Sequence, residues 1–170
     1  AWTTSWGVST RLIGGLIMTH GDDDGLILPP RLAPAHIVIL PVLHSEESAS
    51  AVLDYCESLA RELRSQTYDG KPIEVILDKK EGRGGEKVWG WIKKGVPIYL
   101  EIGPRDMASN SVFVGRRDKS RKERTTLPRP EFVATIAATL HDIQKNLFIR
   151  AKTFRDANIT KIESKDDFYA

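Results

Sequence analysis

The first half of the chain alternates between apolar runs typical of strands and apolar stripes typical of helices. Residues 36–43 form a continuous apolar run, which predicts a strand buried on both faces of a sheet. Residues 73–77 predict a second strand, and a helix that ends near Ser65 separates the two. The apolar positions of this helix are Val52, Leu53, Cys56, Leu59, Ala60 and Leu63. A strand, a helix and a strand in this order favour a parallel pair, so the pattern predicts an α/β fold.

The second half of the chain predicts three more strands and one long helix. The strands cover 96–103, 111–115 and 125–127, and a turn occupies 104–110. A helix follows over 131–156. The apolar side of that helix carries Val133, Ile136, Ala137, Leu140, Ile143, Leu147, Ala151 and Phe154. These elements keep the chain in the same α/β class.

The opening residues predict a strand that leads directly into a helix. Small, β-branched and aromatic residues occupy 3–10, and an apolar helical segment runs over about 10–19. Arg11 lies where the strand meets the helix, and a side chain held there can present a planar cation to a phosphate or stack on a base. An exposed arginine at a strand end is the alternative interpretation. Prolines at 29, 30 and 34 stiffen the following connector, where we expect a domain boundary.

Composition limits the class of protein. A chain of 170 residues with 41% hydrophobic composition can bury one full core. The 25 basic and 23 acidic residues give a net charge of +2, which argues neither for nor against a nucleic-acid partner. The single cysteine, Cys56, excludes an internal disulfide, and no Cys or His group has zinc-ligand spacing, so we expect a cytoplasmic protein without its own metal site. The apolar runs are too short to span a bilayer, so no membrane association is expected. Because the chain begins at Ala1 rather than at Met, we expect it to be part of a longer polypeptide.

Four segments carry candidate chemistry. The acidic loop 20–25 is expected to be solvated, because consecutive Asp residues in a turn cannot all converge on one ion. The glycine-rich loop 81–86 is a weak phosphate-site candidate, since it lacks the Lys-Ser/Thr ending of a P-loop. Residues 87–95 interleave two tryptophans with three lysines, which suits either stacking on unpaired bases or a core-capping Trp beside solvated lysines. Residues 116–124 contain six basic and two acidic residues, which predicts a salt-sensitive contact with RNA.

The string Trp6-Gly7-Val8-Ser9-Thr10-Arg11, with the segments that follow it to Arg31, resembles the third conserved motif of class II prolyl-tRNA synthetases of the archaeal and eukaryote-like branch. The resemblance implies that Arg11 is the class II arginine that binds ATP and that Ser9 lies at the nucleotide. It places Trp6 and Gly7 on the floor near the proline pocket. A fixed guanidinium there would offset the negative charge that builds up when a carboxylate attacks the α-phosphate.

A second resemblance covers residues 35–157. The order of elements is similar to the anticodon-binding domain of class IIa synthetases, and strings at 91–97, 101–106 and 143–148 agree with its prolyl members. The family fold is a mixed, mostly five-stranded sheet packed by about three helices. The implied division is the end of a class II catalytic domain (its last strand and helix) with the connector at 1–33, an anticodon-binding domain at 34–157 and the start of a C-terminal extension at 158–170.

The resemblance also implies an anticodon-reading set: Val88, Trp89, Trp91, Ile92, Tyr99, Asp106, Arg121 and Lys122. Val88 stands where an aromatic residue often stacks, and two positions depart more seriously from the family pattern: Ile92 stands where many members have Glu, and Tyr99 where many have Arg. A carboxylate accepts from guanine N1 and N2 and an Arg donates to O6 and N7, and neither replacement reproduces both contacts. Trp89, Trp91 or Tyr99 would then stack on the bases instead.

The implied parent enzyme activates proline with ATP and Mg²⁺, transfers it to proline tRNA and is a homodimer. This chain would supply its ATP-site arginine and its anticodon-binding domain, and we expect the chain alone to be inactive. The extra C-terminal domain of this branch often holds zinc, but the cysteines that would bind zinc are absent here. The alternative function is a non-catalytic module that uses the same fold to bind RNA or a protein.

Overall fold

A computed structural model describes residues 2–43, 46–80 and 82–169, so Glu81 of the glycine-rich loop lies outside the described residues. The helices are α1 (Arg11–His20), α2 (Glu46–Arg64), α3 (Gly84–Lys94), α4 (Pro104–Ala108), α5 (Arg129–Ala157) and α6 (Lys165–Tyr169), with a 3₁₀ helix at Arg121–Glu123. The strands are β1 (Ile37–Pro41), β2 (Thr67–Tyr68), β3 (Lys71–Pro72), β4 (Val75–Leu77), β5 (Ile98–Ile102), β6 (Ser111–Arg116) and β7 (Thr125–Pro128).

Five strands form one mixed sheet in the order β4-β1-β5-β6-β7, and β2 pairs with β3 in a separate hairpin. Strand β1 runs parallel to both β4 and β5, while β6 and β7 are antiparallel to their neighbours. The predicted parallel pair and the mixed five-stranded α/β architecture are therefore confirmed. The helical crossover between β1 and β4 satisfies the chain length that a parallel connection needs.

Alternate residues of β1 face two different hydrophobic clusters. Ile37 and Ile39 pack against α2 and α5 in the larger cluster. Val38 and Leu40 pack beneath α3 in a smaller cluster. Residues 37–40 are all buried, as expected for a strand covered on both faces. The smaller cluster is completed by Val88, Ile92, Val96 and Tyr99, with Trp89 and Trp91 at its margin.

Several predicted elements differ from those observed. The opening strand is wrong: residues 2–9 have no regular structure, and Trp6 is 92% exposed. A strand needs a neighbour to satisfy its backbone groups, and no described strand pairs with this segment. The predicted turn at 104–110 contains the short helix α4, which Pro104 can begin because its missing N–H has no helical partner.

The long helix α5 is confirmed, but its buried side differs from the predicted stripe. Phe132 is 1% exposed, whereas Phe154 is 73% exposed. The helix has 29 residues, and its buried residues end at Leu147, so its last part has no sheet to cover.

Among the helices in the described residues, none combines the length and the apolar composition that a membrane span requires. The division at residues 33 and 157 stays a prediction.

Candidate nucleic-acid interface

A cleft lies between the turn that joins β6 to β7, the loop after α1 and the side of α5. We call it the basic cleft. The turn contributes Lys119, Arg121 and Lys122, and Arg150 comes from α5. Ile92 and Tyr99 line its buried side. The structure thus brings together four of the eight predicted anticodon-binding residues, although 30 positions of the numbering separate Ile92 from Lys122.

Internal ion pairs neutralise half of the positive charge predicted at 116–124. Arg116 Nη2 lies 2.8 Å from Asp118 Oδ2 and 2.7 Å from Asp142 Oδ2. Arg117 pairs with Asp22, and Arg124 pairs with Glu101 and lies over the Phe113 ring. The sequence excess of six cations over two acids therefore overstated the charge free to attract RNA. Within the described residues no ion pair involves Lys119, Arg121 or Lys122, and all three are exposed.

The remaining pairs hold the turn in shape. The Asp118 side chain is 1% exposed. Burial opposes its ionisation, but hydrogen bonds from Arg116 and from Asn146 outweigh burial and lower the pKa of Asp118. Ser120 begins the 3₁₀ helix with a capping box, in which the Ser120 hydroxyl accepts from Lys122 N and Glu123 accepts from Ser120 N. The backbone that carries Arg121 and Lys122 is thus fixed from both ends.

The two tryptophans of α3 have different roles. Trp91 Nε1 donates to Asp78 Oδ2 at 2.7 Å, which ties α3 to the end of β4. Burial of Asp78 opposes ionisation, but the bonds from Trp91 and Lys80 N and the charge of Lys87 keep its pKa below the ordinary value. Trp89 is half-buried, and the Arg121 guanidinium lies 4.4 Å from its ring centroid. A planar cation on an aromatic face is an arrangement onto which a further flat ring can stack.

Val88, Ile92 and Tyr99 are buried, with exposed fractions of 3%, 1% and 2%. Alternation along β5 turns Tyr99 beneath α3, and its ring crosses Gly115 of the paired strand β6. Burial raises the pKa of Tyr99, so its hydroxyl stays protonated. These three side chains have a packing role. Direct base contact by them stays a prediction.

Asp106 is not part of the basic cleft. Its carboxylate accepts from Gly103 N at 2.9 Å and caps α4. It lines a second groove on the part of the sheet that α3 leaves uncovered, beside Glu101, Phe113 and Thr126. The cross-strand register makes Phe113 the neighbour of both Glu101 and Thr126. The groove contains the Phe113 ring, over which Arg124 lies, and a carboxylate; aromatic rings, arginines and carboxylates are groups that base recognition uses.

The predicted nucleotide and proline residues do not enclose a ligand in this chain. Trp6, Gly7 and Ser9 are exposed and precede α1 without regular structure, and Arg11 is the first residue of the helix. Arg11 N lies 3.4 Å from Ser9 Oγ, so the two predicted ATP-binding residues contact each other through the backbone of Arg11. Within the described part of the chain, no three His, Cys, Asp or Glu side chains converge as a metal site would require.

The sequence alone does not indicate that Asp22 and Arg150 lie at the cleft, nor that Arg117, a member of the predicted basic segment, pairs with Asp22. The acidic loop is predicted to be solvated, but Asp22 pairs with Arg117, which lies 95 positions away. Hydrogen bonds from Arg117 lower the pKa of Asp22 against the effect of burial. Arg150 is one of several cations along the long helix. No local pattern connects these positions, because their proximity depends on how α1 and α5 pack around the sheet.

A family model described as the anticodon binding domain matches residues 36–139. The chain is 53% identical over 170 residues to proline-tRNA ligase 2 of Anaeromyxobacter dehalogenans, which covers all of this chain and 33% of the relative. It is 54% identical over 168 residues to the proline-tRNA ligase of Bdellovibrio bacteriovorus, covering 99% of the chain and 34% of the relative. It is 55% identical over 159 residues to the proline-tRNA ligase of Protochlamydia amoebophila, covering 94% of the chain and 31% of the relative. The chain spans about a third of the length of these relatives.

Proposed function

The chain belongs to the anticodon-binding domain family, and on that premise we propose that it is the tRNA-binding part of a proline-tRNA ligase. The observation that carries the proposal is the basic cleft, where Lys119, Arg121 and Lys122 project from one fixed turn beside the Trp89 ring. Lysines that form no internal ion pair within the described residues suit phosphate contact, and an arginine held on an indole suits base stacking.

In this proposal, the cleft and the groove at Asp106 contact different parts of an RNA loop. Lys119, Lys122 and Arg150 contact phosphates, which gives affinity and orientation without reading sequence. Trp89 and Arg121 stack on an unpaired base, and Asp106 accepts from a base edge. Val88, Ile92, Tyr99 and Trp91 hold these groups in place from below, with Ile92 and Tyr99 also shaping the inner wall of the cleft.

In a protein of the relatives' length, Ser9 and Arg11 would contribute to the ATP site, and Trp6 and Gly7 to the proline pocket. Such an enzyme would activate proline with ATP and Mg²⁺, charge proline tRNA in the cytoplasm and act as a homodimer. Ser9 and Arg11 do not form an ATP site by themselves, because they lie in one exposed segment, and we assign no chemical step to them. We propose no zinc role for this chain, because its single cysteine is buried in the core.

Filter binding of this chain to proline tRNA, and to the same tRNA with both anticodon guanines replaced, tests the proposal across a salt series. We expect tight binding that weakens on replacement. Lys122→Ala should weaken binding to both RNAs and reduce the salt slope by about 1. Lys71→Ala is the matched control, because Lys71 is also an exposed lysine but lies in the β2–β3 hairpin outside the cleft. Equal effects of the two substitutions would refute the cleft as the RNA site.

A second candidate is an RNA-binding module that ignores anticodon sequence. The burial of Ile92 and Tyr99 favours it, because these positions offer no exposed donor and acceptor pair for guanine. Equal, strongly salt-dependent binding to both tRNAs would support this second function over the first. Proline-dependent pyrophosphate exchange by the purified chain would contradict the expectation that it is inactive alone.

A further inference from the structure

Arg117 joins three separate parts of the chain. It follows β6 directly, and its side chain is 5% exposed. Nε donates to Leu26 O at 3.1 Å and to Ile92 O at 3.3 Å. Nη1 donates to Asp22 Oδ2 at 2.7 Å, and Nη2 donates to Asp22 Oδ1 and, at 3.1 Å, to Gly25 O. One guanidinium thus holds the loop after α1, the C-terminal turn of α3 and the start of the turn at 117–124 that joins β6 to β7, which we call the basic turn.

The segment 22–28, which we call the α1–α3 contact segment, lies directly on the end of α3. Leu26 N donates to Lys93 O at 3.2 Å, and Leu28 N donates to Gly95 O at 3.0 Å. Two glycines with positive φ permit this approach. A Cβ at Gly25 would lie 2.7 Å from Lys93 Cα, and one at Gly95 would lie 2.7 Å from Leu26 O. The backbones therefore touch without intervening side chains.

The same contacts reach two elements that meet at the basic cleft, α3 and the basic turn. Helix α3 contributes Ile92 to the cleft lining and carries Trp89 next to it, and the turn after Arg117 carries Arg121, which lies on that tryptophan. The Arg117 charge also lies at the C-terminal end of α3, where a cation is favoured by the helix dipole. If Arg117 lost its carboxylate partner, the distance between α3 and the basic turn and the position of the α1–α3 contact segment would be less well determined.

We propose that Arg117 and Asp22 form a clamp that couples RNA bound in the basic cleft to the α1–α3 contact segment, and so to the position of α1. Arg117 is a positioning residue in this proposal, which rests on the proposed RNA-binding function. The clamp sets the spacing of Trp89 and the basic turn before RNA arrives. RNA that contacts both α3 and the basic turn then stabilises the backbone hydrogen bonds of residues 26 and 28.

Asp22→Asn tests the clamp, with Asp23→Asn as the matched control. Both substitutions remove one negative charge from the same loop, but the side chain of Asp22 accepts from Arg117, whereas Asp23 is exposed and lies outside the cleft lining. If only the net charge of the loop mattered, either substitution would slightly tighten RNA binding, because a negative charge near the phosphates is lost. The clamp predicts the opposite sign for Asp22→Asn, a loss of about fivefold in affinity, a size typical of coupling between sites.

The probe is an RNA hairpin with the anticodon stem and loop of proline tRNA, and hydrogen exchange of segment 22–28 is the second readout. We expect RNA to slow exchange at 26 and 28 in the unchanged chain and in Asp23→Asn, but not in Asp22→Asn. Unaltered exchange in β1 would show that the Asp22→Asn variant is folded. Arg117→Lys, which keeps the charge but loses the planar fork, should behave like Asp22→Asn.

The outcomes separate the two proposals. RNA binding with equal affinity and equal protection in Asp22→Asn and Asp23→Asn would overturn the clamp and leave the RNA-binding function standing. Binding that never protects segment 22–28 in the unchanged chain would do the same. Absence of any RNA binding by the unchanged chain would overturn the proposed function, and the coupling with it.

Discussion

Gly115 leaves room for the Tyr99 ring, and replacing it with alanine tests the packing beneath the basic cleft. A Cβ at Gly115 would lie 2.5 Å from Tyr99 Oη and closer still to Cζ and Cε2, where ordinary contacts are 3.4–4 Å. The ring must therefore move by roughly 1 Å or more. It cannot do so freely, because Tyr99 is 2% exposed and packs with Val88 and Ile92.

The expected magnitude follows from two opposing effects. Overpacking a filled core costs about 1–3 kcal/mol. The loss of backbone freedom in the unfolded chain, which favours alanine over glycine, returns only about 0.4–1 kcal/mol. The free-energy cost of overpacking is larger than this gain, so we expect Gly115→Ala to lower the free energy of unfolding by about 1–2 kcal/mol. Because Tyr99 lines the cleft, RNA affinity should fall as well.

Urea denaturation of a double-mutant cycle measures the effect. In a Tyr99→Leu background the atoms that would clash are absent, so Gly115→Ala should cost less than about 0.5 kcal/mol. Gly90→Ala is the control, because Gly90 is helical with no atom within 4 Å of its Cβ position, and it should stabilise the chain by up to about 1 kcal/mol. Equal costs of Gly115→Ala in both backgrounds, or no cost in the unchanged chain, would refute the packing argument.

Three further outcomes are expected. Trp91→Phe should lower the free energy of unfolding by about 1–2 kcal/mol in urea denaturation, because it removes the indole bond to the Asp78 carboxylate, whereas Trp89→Phe should cost less. Cys56 should resist thiol reagents at pH 8 and react only when urea unfolds the chain, because burial raises its pKa to about 12; fast labelling of the folded chain would contradict this. Asp118 has a folded-state pKa below its ordinary 3.8, so its stabilisation is present above that value and is lost as the pH falls through the lower folded-state pKa. Thermal melts from pH 6 to 2 should therefore show a smaller loss of stability in Asp118→Asn than in the unchanged chain. The same dependence of stability on pH in both proteins would count against the Arg116 pair as the cause of the lowered pKa.

The strands of the sheet interior were predictable because burial leaves a local signature. Residues 37–40 are apolar without interruption and are buried on both faces. The stripe of α2 was equally plain, since Val52, Cys56, Leu59 and Leu63 are all fully buried. The prediction of an opening strand was wrong because β propensity at 3–10 describes only a side-chain preference. A strand forms only where a neighbouring strand can pair with it.

The candidate site was predictable in part. The cluster of cations at 116–124 and the tryptophans of α3 were visible in the chain, but not which cations remain unpaired. Arg117 looks like its neighbours in sequence, yet its carboxylate partner comes from a loop 95 positions earlier. Tyr99 looks available for stacking, yet its position on β5 places the ring beneath α3.

Periodicity and strings of neighbouring residues were enough to establish which segments become strands and helices in the core, the α/β class and the family resemblance, because these properties are local in the chain. Packing established which charges are neutralised, which aromatic rings are covered and which loops meet at the basic cleft. Those properties depend on distances between residues far apart in the chain, and such distances are set only when the helices pack onto the two faces of the sheet.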